Sequence, residues 1–120
     1  MAGSYRDLVA WQKAMALAKD IYLATQMFSR DEYYGLRSQL RRAAVSVPSN
    51  IAEGQARYSR REFAYFLSNA RGSLAEVETQ ITLANDLGYV DPNQAAMLLS
   101  KASELGRILN GLIAATKSAA

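Results

Sequence analysis

Seven arginines between positions 37 and 71 are the residues of this chain best suited to chemistry with a partner: Arg37, Arg41, Arg42, Arg57, Arg60, Arg61 and Arg71. A guanidinium is a planar fork of donors that matches a phosphate or a carboxylate with two bonds at once. The same interval holds only Glu53 and Glu62 as acids. Seven against two leaves it at +5, so the rest of a chain whose total is +3 carries −2. The basic character is local. Arg37 and Arg41 are four apart and share a helix face, with Arg42 beside it. Arg61, Ala64, Ser68 and Arg71 fall along one row, with Arg57 and Arg60 just before. Small residues between arginines leave a groove that a phosphate backbone can approach, and each phosphate neutralised releases counterions. This predicts one water-facing basic wall shared by two helices. The opposing reading is internal pairing. Glu53 lies four before Arg57, the favourable order for an intrahelical ion pair, and Arg71 has acids within reach on other helices. The residues alone favour a solvated face with such internal pairs.

Other chemistries are poorly served. The 120 residues include no cysteine and no histidine. That excludes a disulfide framework, a zinc finger, a thiolate nucleophile and an imidazole general base. Glu53, Glu62, Glu76 and Glu78 lack the Glu-x-x-His partners of a ferritin-type metal site, and Glu76 and Glu78 diverge on a helix. The glycines are too scattered for a phosphate-cradling loop. No cofactor is expected, and the chain reads as a non-enzyme. Tyr33, Tyr34, Tyr58 and Tyr65 lie near the basic interval and could stack on bases. Packing is favoured for Tyr22 and Tyr65, and Tyr58 is the one expected to be exposed.

The elements that must position these groups are helices. Four segments open with a capping-box pattern, in Ser4 with Asp7, Ser29 with Glu32, Ser59 with Glu62, and Asp91 with Gln94. Pro92 suits a first helical position, and Gly88 reads as the end of the third helix. The segments are placed at about 6–28, 30–56, 60–87 and 92–116. Apolar residues recur in steps of three and four, as in Phe63, Leu67, Ala70, Leu74, Val77, Ile81 and Ala84. Connections of a few residues make sequential helices antiparallel neighbours. The fold class expected is all-α, an antiparallel up-down four-helix bundle forming one domain over residues 1–120. Gly72, inside the third helix, is expected to mark a close helix approach beside Ser73, either in the core or between subunits. No window has the length of a membrane helix and no leader is visible, so a cytoplasmic protein is expected.

The first helix carries two apolar rows. One is Ala10, Ala14, Leu17, Ile21, Ala24 and Phe28; the other is Leu8, Trp11, Met15, Ala18 and Tyr22. That face is wider than one core requires. Either both rows are buried within a subunit, or Leu8, Trp11, Met15 and Tyr22 form an interface between subunits, where aromatic residues and Met are enriched.

The run from Gln39 to Gly54, QLRRAAVSVPSNIAEG, is the most distinctive. Pro48 removes a donor from a helical pattern that continues on both sides, and Ser46, Ser49 and Asn50 can satisfy freed groups. Together with Trp11-Gln12-Lys13-Ala14, Tyr34-Gly35-Leu36 and Ala70-Arg71-Gly72-Ser73-Leu74, it resembles the 23S rRNA intervening-sequence proteins. It is similar also to the accessory variability proteins of diversity-generating retroelements. The resemblance implies a four-helix bundle assembling into a cyclic homo-oligomer, in known cases a pentamer. It further implies contact with RNA or DNA, in the retroelement branch beside a reverse-transcriptase-like protein. The expected function is that of a non-enzymatic oligomeric scaffold touching nucleic acid through the seven arginines. The alternative is an adaptor docking a polymerase-like partner, with the arginines only in structural ion pairs.

Overall fold

The computed structural model describes residues 3–118. Four helices carry the chain: α1 (Val9–Ala24), α2 (Leu36–Gln55), α3 (Arg60–Asp86) and α4 (Pro92–Ser118). Each packs on the next and α4 closes on α1, which completes the bundle. Contacts run in opposite order along successive helices. Ser46 of α2 meets Ser73 of α3, while Gly54 lies against Phe63 and Phe66. The same reversal pairs Lys13 with Glu104 and Asp20 with Lys101 between α1 and α4, sets Arg61 by Lys117 and Arg71 by Gly106 between α3 and α4, and sets Trp11 by Ala52 and Tyr22 by Arg41 between α1 and α2, so all neighbours are antiparallel.

The core is the set of apolar rows that the spacing marks out. Ile21, Leu40, Ile51, Leu67, Leu74, Ile81, Leu98, Leu105 and Leu109 are fully buried. Burial of such side chains contributes about 1.5–3 kcal/mol each before the entropy of ordering is counted. α2 runs unbroken through the buried Pro48. Asn50 donates to the Ser46 carbonyl at 2.8 Å and to its Oγ at 3.0 Å, so this polar repair falls on Ser46 and not on the Ala44 carbonyl that the proline frees.

Two glycines have clear work. Gly54 lets α2 and α3 close, since a Cβ there would stand 2.6 Å from the Phe66 Cβ. Gly88 adopts φ +82°, and the Tyr89 and Gly88 amides donate to the Ala84 and Asn85 carbonyls, ending α3 in a Schellman motif. Gly72 does not mark a close approach within the bundle, because a Cβ there meets nothing within 4 Å.

The first two helices start later than the capping patterns predict. Ser4 caps only a 3-10 turn over Tyr5–Asp7, and extended Leu8 separates that turn from α1. Ser29 makes no side-chain cap. A second 3-10 turn, Arg30–Glu32, leads through Tyr33 and Tyr34 to α2. Here Glu32 is the capping group. Its Oε1 accepts from the Leu36 amide at 3.0 Å and its Oε2 accepts from the Tyr89 hydroxyl at 3.1 Å. The caps of α3 and α4 form as their patterns require, Ser59 accepting from the Glu62 amide and Asp91 from the Gln94 amide.

Candidate nucleic-acid interface

The antiparallel arrangement divides the seven arginines. One end of the bundle joins the end of α1 to the start of α2; there stand Arg37, Arg41 and Arg42. The opposite end joins α2 to α3 and carries Arg57, Arg60 and Arg61. Along α2 the two groups lie about 20–25 Å apart at 1.5 Å per residue. Arg71 is two to three turns up α3, over Gly106 of α4. The shared wall expected from the helical rows is therefore replaced by two separate basic ends, because the helices that carry the arginines run in opposite directions.

The first end is a cleft of about 450 Å³ lined by Tyr22, Tyr33, Tyr34, Arg37, Ser38, Arg41 and Arg42. Arg41 is anchored. Its Nε donates to Thr25 Oγ1 at 2.8 Å and its Nη2 to the Tyr22 carbonyl at 2.9 Å, while the guanidinium lies over the Tyr22 ring, 4.4 Å from the centroid. Tyr22 and Thr25 close α1, so a cation here also meets the negative end of that helix. Burial, and then the Arg37 charge, lower the Arg41 pKa from its ordinary value. Arg37 rests on the Tyr33 ring at 4.1 Å. Its Nε is buried and finds no acceptor among the described residues. Arg42 is exposed at the rim. Among the described residues no carboxylate lies within ion-pair distance of Arg37, Arg41 or Arg42.

The tyrosine turn is held from behind. Glu32 grips the α2 amide and Tyr89, and the Tyr89 ring packs on Phe28 at 5.4 Å. The bond to Glu32, with burial and the Glu32 and Asp31 charges behind it, raises the Tyr89 pKa.

The second end is chemically different. Arg57 pairs with Glu53 at 2.7 Å, sits 4.0 Å from Glu62 and lies over the Phe66 ring. This is the internal pairing that the residues favour. Arg71 also pairs, with Glu78 of its own helix at 3.8 Å and not with another helix. Arg60 and Arg61 border a groove of about 540 Å³ with Ala64, Tyr65, Ser68, Thr116 and Lys117. Tyr65 is exposed, contrary to the packing favoured for it, although its ring meets Phe66 edge-on. Tyr58 is 91% exposed, as expected, and has φ +57°. Tyr34, which nothing in the sequence sets apart from its neighbour Tyr33, is 98% exposed beside the first cleft.

The second row of α1 is only partly covered. Leu8 and Trp11 are half-buried against the core, with Trp11 edge-on to Tyr5, whereas Met15 and Tyr22 are exposed. Trp11, Met15 and Tyr22 border an apolar groove of about 570 Å³ between α1 and α2 that also includes Ala18, Val45 and Pro48.

Fold and site together define an all-α four-helix protein. Among the described residues no three His, Cys, Asp or Glu side chains gather as a metal site would require, and no helix is long and apolar enough to cross a membrane. The chain belongs to the 23S rRNA-intervening sequence protein family, whose model matches residues 6–111. Its fold is similar to the crystal structure of a protein of unknown function from the S23 ribosomal protein family of Bacteroides thetaiotaomicron VPI-5482. The TM-score is 0.79 at 22% identity, covering 88% of this chain and 98% of that one. No curated protein matches the chain.

Proposed function

We propose that the protein is a non-catalytic scaffold that binds nucleic acid, RNA in particular, through its arginine-bearing ends. The observation that carries this reading is the cleft of Arg37, Arg41 and Arg42. Three cations line it, and among the described residues none of them has a carboxylate within ion-pair distance. Holding like charges together costs free energy, and an anion from outside offsets it. Arg60 and Arg61 supply a secondary contact at the other end. Arg57 and Arg71 are held by acids and contribute less.

The partly covered row of Leu8, Trp11, Met15 and Tyr22 supports self-association. The scaffold is a cyclic homo-oligomer, a pentamer by family resemblance, acting in the cytoplasm. A second reading, docking of a reverse-transcriptase-like protein, rests on the same apolar groove. A salt titration separates the two. RNA affinity carried by arginine falls steeply as salt rises, whereas docking through apolar area does not. Absent or salt-insensitive RNA binding overturns the proposal. Light scattering tests the ring, and a species of 13.2 kDa at micromolar concentration would overturn it.

A further inference from the structure

The first-end cleft has features that phosphate binding alone does not need. Three tyrosines line it, but they are not equivalent. The rings of Tyr22 and Tyr33 already carry the guanidinia of Arg41 and Arg37 at 4.4 and 4.1 Å. These two rings fix the cations in place. Tyr34 is on the same wall, is 98% exposed, and has no ring or cation against it among the described residues. An aromatic ring that open leaves its whole apolar surface in water, on a turn that the Glu32 bonds to Leu36 and Tyr89 hold in place.

We propose that this cleft binds an unpaired nucleotide of a single strand, with a phosphate at Arg37 and Arg42 and a base stacked on Tyr34. This rests on the nucleic-acid reading above and specifies its ligand. The cleft volume of about 450 Å³ lies within the range of small-molecule sites and is far too small for a duplex. A duplex can reach the arginines with its backbone but keeps its base faces stacked inside, where Tyr34 has no access to them. A single strand offers both groups. Arg37, seated on the Tyr33 ring, and Arg42, at the exposed rim, both line the cleft and offer cations to successive phosphates. Stacking accepts any base, so the site discriminates by strandedness and not by sequence.

The test measures anisotropy of a short labelled oligouridylate and of duplex RNA of the same length, with wild type, Tyr34→Ala, Tyr34→Phe and Arg42→Glu. Tyr34 is on the surface, so its replacement leaves the fold intact, and circular dichroism checks this. Tyr34→Ala is expected to weaken the single strand about tenfold and to leave the duplex unchanged. Tyr34→Phe keeps wild-type affinity, and Arg42→Glu weakens both ligands. Equal single-strand affinity for wild type and Tyr34→Ala, with Arg42→Glu still impaired, overturns the stacking site while sparing the nucleic-acid reading. No binding of either ligand by wild type at low salt overturns both.

Discussion

The two ends of the bundle use the same residue type in opposite ways. At the α1–α2 end, Arg37 and Arg41 lie on tyrosine faces and no carboxylate among the described residues balances them. At the α2–α3 end, Arg57 lies between Glu53 and Glu62. Aromatic faces hold a guanidinium in position without neutralising it, whereas a carboxylate does both. A count of arginines therefore overstates the basic surface available to a partner. What matters is the group each arginine rests on.

The comparison breaks most sharply under charge reversal. Arg37→Glu with Arg42→Glu should cut RNA affinity about a hundredfold at low salt, as expected for two charge-assisted contacts. Arg57→Glu should change it far less. Anisotropy on both variants checks this, and equal losses would mean that the ends are equivalent.

Stability should also respond differently at the two ends. Gly54→Ala places a Cβ 2.6 Å from that of Phe66, where neither helix can yield cheaply. Despite the better helix propensity of alanine, it should cost about 1–3 kcal/mol in a denaturant melt. Arg41→Ala removes bonds to Thr25 Oγ1 and the Tyr22 carbonyl and should cost about 1–2 kcal/mol. A neutral result would show that Arg41 does not close α1. Arg57→Ala breaks a half-exposed ion pair and should cost under about 0.5 kcal/mol.

The smallest effect expected is one of pH. The Tyr89 pKa is raised in the folded state, so its contribution is complete below the ordinary tyrosine range, about 10. It is lost as pH climbs through the raised value. Tyr89→Phe should abolish this alkaline loss, which melts across that pH range would reveal.

Local signals are the legible ones. The apolar rows of the first and third helices, the Ser59 and Asp91 caps, the Gly88 terminus and the Glu53–Arg57 pair all depend on residues within about a turn or two of each other. The start of α2 is misleading in the sequence, because Ser29 with Glu32 fits a capping box while Glu32 in fact looks forward to Leu36 and across to Tyr89. The cleft is half legible. Arg37 and Arg41 share a face by spacing alone, with Arg42 beside it. The seating of Arg41 on Tyr22, 19 residues earlier, depends on how α1 crosses α2, and no helical period reports that. The division of the arginines between two ends follows from antiparallel topology, which the short connections imply but a tally along the sequence conceals.

The salt dependence of RNA binding tests the central claim most directly. In wild type the logarithm of affinity should fall linearly with the logarithm of salt concentration. Replacing Arg37 and Arg42 together by alanine should reduce that slope by about 1.5, roughly 0.7 for each single-strand phosphate that the variant no longer neutralises. An unchanged slope in the double variant would contradict the account, because RNA would then be held elsewhere on the protein.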